Sequence, residues 1–324
     1  MHAWQIHELG NPIDKLELCE TPDLPEPMAD QVTVSVKAVG ISFPDVLQCR
    51  GEYQIKPQLP WTPGGESAGI ITATGPNVSS LGIGDRVMML GGGLIEQVNV
   101  LEMGVWKIPD SFQIEKAAAV PVNYGTTWFA LHDRARIQSG ETLLITGAAG
   151  GTGSAAIQLG KAAGAKVIAV VGGEEKVSQA MSLGSDHVID HITNPTWVDE
   201  VRDISGGGVD VAYDPVGGET THLARRCMAW NGRLLIIGFV AGIPNLPANH
   251  MLLKNYSVVG VHWGASLGKN PESLHQQMHS VLDLAGSGEV NPLIFPPYEF
   301  EDASRAIQDL ADRKTWGKVI VRVG

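Results

Sequence analysis

Short apolar runs broken by Gly, Pro and Asp fill the first 121 residues. QVTVSVKAVGI, ESAGIITATG and DRVMML are rich in β-branched side chains and predict a compact β-rich domain. From 122 to 263 the rhythm changes. The strand-like runs TLLIT, KVIAVV, HVID, VDVAYD, RLLIIGF and SVVGVHW alternate with helical patterns, which predicts an α/β domain with a parallel, doubly wound sheet. Residues 264–324 read as a helix (PESLHQQMHSVLDLAG), a proline-rich crossing (NPLIFPPYEF), a second helix (DASRAIQDLADR) and a final strand in KVIVRV. This last stretch is expected to complete the first domain, giving a division into 1–121 with 264–324, and 122–263.

The most informative stretch runs from Leu143 to Gly173, LLITGAAGGTGSAAIQLGKAAGAKVIAVVGG. An apolar run enters a glycine-rich turn, a helix of small residues follows, and a second apolar run closes the unit. This order is the strand–turn–helix–strand arrangement that binds a dinucleotide pyrophosphate at a helix N-terminus. Ala149, Gly150, Gly151, Thr152 and Gly153 are the expected lining, with Gly150 and Gly153 expected to let the phosphates approach the backbone. The helix is expected over about Thr152–Ala163, ended by Gly164. Ala148 stands where a strict G-x-G-x-x-G has its first glycine.

The end of the second strand chooses between the nicotinamide cofactors. An NAD site places an acid there to hold the ribose hydroxyls. Here Val171 is followed by Gly172 and Gly173, which leave room for a 2′-phosphate, and Lys176 can neutralise it. Glu174 and Glu175 lie in the same loop and can approach the ribose, or can simply open a solvated helix. NADPH is favoured over NADH.

Composition narrows the function further. In 324 residues, 23 basic against 35 acidic residues give a net charge of −12, which argues against nucleic acid or an anionic membrane as partner. No apolar run approaches the ~20 residues of a membrane span, and MHAWQIHELG lacks a signal-peptide core, so a cytoplasmic location is expected. Cys19, Cys49 and Cys227 show no paired spacing, which excludes a four-cysteine structural zinc lobe and disfavours disulfides. His187 with His191, and His275 with His279, read as solvated pairs rather than metal ligands.

The chain resembles the medium-chain dehydrogenases/reductases, in their zinc-independent quinone oxidoreductase branch. The resemblance spans nearly the whole length and rests on GISFPDVLQCRGEY, LPWTPGGESAGII, GDRVM, LGGGLIEQ, PVNYGTTWFAL, ITGAAGGTG, YDPVGG, GRLLIIGF and RKTWGKVIV in this order. It implies a Rossmann domain joined to a GroES-like catalytic domain. Zinc-dependent members carry a Cys where this chain has Ser42, and G-H-E where it has Gly64-Gly65-Glu66. No zinc and no other metal is therefore expected, and acceptors that take hydride without a Lewis acid fit best: quinones and activated alkenes. The implied activity is that of an NADPH-dependent quinone oxidoreductase. An enoyl, 2-alkenal or acyl-CoA double-bond reductase and a non-catalytic NADPH-binding protein are the alternatives.

The resemblance also assigns residues. Thr126, Phe239, Val240 and Trp263 are implied at the nicotinamide end. Lys176 and His191 are implied at the 2′-phosphate, His191 standing where relatives have Tyr, and Arg313 at the adenosine phosphate. Ser42, Asp45, Arg50 and Tyr53 are implied beside the nicotinamide cleft, with Tyr53 and Ser42 as the catalytic candidates that orient a carbonyl. Each has a plainer reading: Thr126 as a helix cap, Phe239 and Trp263 as core aromatics, Arg313 paired with Asp309, Tyr53 as a surface aromatic, Asp45 as a backbone anchor. A homodimer joined along the edge strand SVVGVHW is implied as well.

Overall fold

A computed structural model describes residues 1–324, which fall into two compact units, Met1–Val122 with Pro292–Gly324, and Asn123–Asn291. The first is β-rich. Its main sheet is antiparallel, with Val319–Arg322, Gln31–Ile41, Glu66–Thr74, Arg86–Leu90 and Val105–Lys107 side by side and Gln97–Leu101 pairing with Gln31–Ile41. A separate antiparallel hairpin joins His2–Ile6 to Leu16–Glu20. Val32, Val34, Val36, Val319, Val321 and Val323 face one core, as period-two alternation of β-branched residues requires. In its register Gly40 pairs with Glu66, and Val319 with Ile41.

The second unit is built on a six-stranded, all-parallel sheet of Thr142–Thr146, Lys166–Val171, His187–Asp190, Val209–Asp214, Met228–Ile236 and Ser257–Gly260. Numbered in chain order they lie as 3-2-1-4-5-6, the doubly wound dinucleotide-binding order. Leu143, Leu144, Ile145, Val167, Ile168 and Ala169 are fully buried, as expected of parallel strands covered on both faces. No helix is long and apolar enough to cross a membrane.

The return to the first unit comes later than the expected residue 264. Residues 264–291 stay with the parallel sheet because the helix Pro271–Ser287 buries Leu274, Gln277, Met278, Val281 and Leu282 there. Gln277 locks it in place, accepting a 2.9 Å bond from the Trp263 indole and donating one of 2.9 Å to Asp133.

Candidate functional site

The strand Thr142–Thr146 ends in a turn of small residues, Gly147-Ala148-Ala149-Gly150. Gly147 takes φ +57, a left-handed conformation that suits glycine. The helix Gly151–Ala162 follows with Gly150 as an extended N-cap that has no side chain to cap it. Its first internal bond is from the Ser154 amide to the Gly150 carbonyl (2.8 Å), so the amides of Gly151, Thr152 and Gly153 have no intrahelical acceptor. With the positive end of the helix dipole behind them, these donors suit an anion.

The turn divides the five expected lining residues. Gly150 is exposed and Gly151 and Thr152 are half-buried, while Ala149 and Gly153 are buried. A Cβ on Gly153 would stand 2.3 Å from the Gly147 carbonyl, so this glycine lets the helix approach the turn and does not serve phosphate approach as expected. Gly151 is limited from another side, since a Cβ there would meet the Asn123 amide at 2.6 Å. Three residues not singled out from the sequence brace this corner. Thr127 and Tyr213 hydroxyls bond at 2.9 Å, and buried Asp214 accepts from Thr146 Oγ1 (2.6 Å), from the Val216 amide (3.0 Å) and from Thr221. Asp214 lies in YDPVGG, where only an acid at the strand end hinted at this role.

At the end of Lys166–Val171 the chain gathers Gly172, Lys176 and His191. A Cβ on Gly172 would meet His191 Nε2 at 2.8 Å, so the imidazole lies over this glycine. Asp190 Oδ1 accepts from the Gly173 amide (3.0 Å) and the Ile192 amide (3.0 Å), and these bonds hold its carboxyl below the usual carboxylate range. Lys176 is half-buried on the helix Glu174–Ser182, engaged in no ion pair, and Glu174 and Glu175 are exposed.

The remaining candidates separate. Thr126 is half-buried within the helix Pro121–Trp128, so it is not a cap. Phe239 is 42% exposed, which removes it from the core, and its carbonyl accepts from the Gly242 amide (2.9 Å) in a loop that includes Val240. Trp263 goes the other way: it is buried, its N–H is taken by Gln277, and its ring fills the space left by Gly125. It is a core aromatic and leaves the cofactor set. Arg313 is exposed in the first unit at φ +61, after the helix Ala303–Ala311. Asp309, its suggested partner, accepts from Tyr298 (3.0 Å) and Lys314 (3.3 Å).

In the first unit, Ser42 caps the helix Phe43–Arg50, and Asp45 is indeed a backbone anchor. Its carboxylate accepts from the Ser42 amide (2.7 Å) and the Gly64 amide (2.8 Å), although burial pushes its pKa up. Fully buried Glu66 pairs with buried Lys318, whose Nζ also donates to Ser42 Oγ at 2.5 Å, and Glu66 Oε2 accepts from the Val122 amide at 2.7 Å. Gly40 makes room for the pair, since a Cβ there would crowd both Lys318 Cε (2.8 Å) and Glu66 Cγ (2.9 Å). Lys318 was invisible as a site residue, because nothing in the sequence shows that it meets Glu66 and Ser42. Tyr53 is half-buried with no hydrogen bond to its hydroxyl, and burial, then the nearby Asp45 charge, raises its pKa.

Comparison with known proteins agrees with this geometry. Residues 28–110 match the family described as alcohol dehydrogenase GroES-like domain, and residues 151–285 match zinc-binding dehydrogenase. The chain is 38% identical to quinone oxidoreductase-like protein 2 of Bos taurus over 318 residues, covering 97% of this chain and 90% of the relative. It is 36% identical to the Nematostella vectensis homolog of that protein, covering 98% and 88%. The structure of Escherichia coli quinone oxidoreductase complexed with NADPH superposes with a TM-score of 0.90 at 27% identity over all of both chains. With a GroES-like domain, a 3-2-1-4-5-6 parallel sheet and these relatives, the chain belongs to the medium-chain dehydrogenase/reductase superfamily, in its quinone oxidoreductase branch.

Proposed function

We propose that the protein is an NADPH-dependent, zinc-independent oxidoreductase that passes hydride to a quinone or another conjugated carbonyl compound. The observation that carries this reading is the uncapped helix start at Gly150–Thr152, with Gly172, Lys176 and His191 gathered at the end of the next strand. When bound, NADPH supplies the hydride. The amides of Gly151 and Thr152 hold the pyrophosphate, and Lys176 with His191 receives the 2′-phosphate. Thr126, Phe239 and Val240 are the nicotinamide-side candidates, and Arg313 keeps its adenosine-phosphate role only through the family resemblance.

The donor set at Ser42, Gly65 and Glu66 does not fit zinc. Gly65 has no side chain, and the Lys318 ammonium already engages both the Ser42 hydroxyl and the Glu66 carboxylate. Without a Lewis acid, the acceptor must spread the incoming charge by conjugation, as quinones and enones do. Tyr53 is the better-placed carbonyl donor, because its phenol keeps its proton and is not committed to another group, whereas Ser42 is held by Lys318.

Titrating NADPH and NADH by fluorescence, then assaying turnover on quinones, enones and acyl-CoA thioesters, tests the reading. Tighter NADPH binding with quinone turnover is expected. Turnover restricted to enones or thioesters would replace it with double-bond reduction, and coenzyme binding without any turnover would leave a binding protein. We extend the proposal to a homodimer through Ser257–Gly260, which lies at the edge of the parallel sheet; light scattering showing monomers would reject this.

A further inference from the structure

The hairpin His2–Ile6/Leu16–Glu20 brings His7 beside Glu17 and Cys19, three different ligand types. Glu17 pairs across from Gln5 and Cys19 from Ala3, so Glu17 and Cys19, two residues apart, share one face with Gln5. His7 lies one residue past the last rung, Ile6↔Leu16, and by the same alternation turns to that face. The ligand atoms of His7, Glu17 and Cys19 all lie within 4.8 Å of one another, with Cys19 Sγ 3.6 Å from His7 Nε2. A tetrahedral zinc ion, with Zn–S about 2.3 Å and Zn–N about 2.0 Å, sets sulfur and nitrogen ligands about 3.5 Å apart. The pair therefore stands at the chelating separation without rearrangement.

We propose that His7, Glu17 and Cys19 form a peripheral site for a borderline-soft divalent cation of the zinc class, with three protein donors and an open fourth position. Thiolate and imidazole select such ions over magnesium or calcium, and the carboxylate completes a set with a net charge of −2 on the bound donors. Binding breaks the Cys19 S–H bond, forms the metal–sulfur bond and releases that proton to solvent. The other thiols do not compete: Cys49 and Cys227 are buried, and burial pushes each pKa up to about 12. This site is remote in sequence and chemistry from the Ser42–Glu66–Lys318 cluster, and it confines the expectation of no metal to that cluster.

The test is titration of the full-length protein with Co2+ and then Zn2+. One Co2+ per chain is expected, with a thiolate charge-transfer band and the intense visible absorption of a four-coordinate ion, both lost on adding Zn2+. Losing an outer partner of a metal ligand weakens affinity about 10–100-fold, so Cys19→Ser and His7→Ala, which remove ligands, should each weaken it at least ~100-fold, and Cys19→Ser should erase the charge-transfer band. Glu17→Gln on the exposed strand gives an independent arm if either variant folds poorly. No stoichiometric Co2+ binding by the unaltered chain, or an unchanged spectrum in Cys19→Ser, would overturn the proposal. Coenzyme binding and turnover are separate readouts, so this outcome does not bear on the proposed activity.

Discussion

The turn at Gly147–Gly153 and the Ser42–Glu66–Lys318 cluster handle charge by opposite means. The turn offers backbone amides and no charged side chain, and the donors it presents lie in seven consecutive residues. The cluster buries Lys318 against Glu66, drawn from positions 252 residues apart in the chain, and burial pushes the Glu66 pKa up. The turn is open to an outside anion because its donors lack partners. The cluster is closed to an outside cation because its acceptors already have one. Where a site leaves its polar groups unpaired it recruits a ligand, and where it pairs them internally it excludes one.

The comparison breaks most readily at Lys318. Removing one member of a buried ion pair strands the other, at a cost of about 3–5 kcal/mol. Lys318→Met should lower stability by that amount in urea denaturation, and Lys318→Met with Glu66→Gln should recover most of it. A single-variant loss below ~1 kcal/mol, the range of exposed pairs, would show that the pair is not the closed unit described. Zinc retained by the purified Cys19→Ser protein would weigh against the closed cluster from another direction, because the hairpin site is then removed.

The same contrast accounts for what the sequence could reveal. The turn was legible because small residues, positive φ and an uncapped helix start are local properties. The six parallel strands were legible from their apolar runs for the same reason. Lys318, Asp214 and Thr127 were not, because their roles depend on which strands become neighbours. Trp263 and the helix Pro271–Ser287 went astray in a related way. Their apolar faces announced burial, but not which unit would cover them, and the Trp263–Gln277 bond that decides it is a tertiary fact.

The next largest effect sharpens the turn's side of the comparison. Gly153→Val would drive a side chain into the Gly147 carbonyl, where even a Cβ is 2.3 Å away, so the turn must move. NADPH affinity should fall by ~100-fold, about 2.7 kcal/mol. Gly150→Ala is the control. Its Cβ would be 3.2 Å from the same oxygen on an exposed residue, so it should change affinity far less. Equal effects in the two variants would mean that close helix packing is not what shapes the anion site.

Lys176→Ala carries a smaller, more selective effect. A charge-assisted bond to the 2′-phosphate is worth about 1.5 kcal/mol at the low end, so NADPH should bind about tenfold more weakly while NADH is unchanged. A parallel loss for both coenzymes would place Lys176 away from the ribose.

The smallest effect concerns Asp190, which stabilises the Gly172–Gly173 turn from outside. Its carboxylate accepts the Gly173 and Ile192 amides, and those bonds lower its pKa in the folded chain. For an acid with a depressed folded value, the stabilisation is fully present above the ordinary carboxylate pKa and is lost as pH falls through the lower, folded value. The group is half-buried at the surface, so the effect is local to the loop and screened by salt. Amide hydrogen exchange at Gly173 and Ile192, compared with Asp190→Asn at each pH, reads it directly: protection in the unaltered chain should fall toward that of the variant only in acid. If the two already match at neutral pH, the carboxylate charge does not hold this turn.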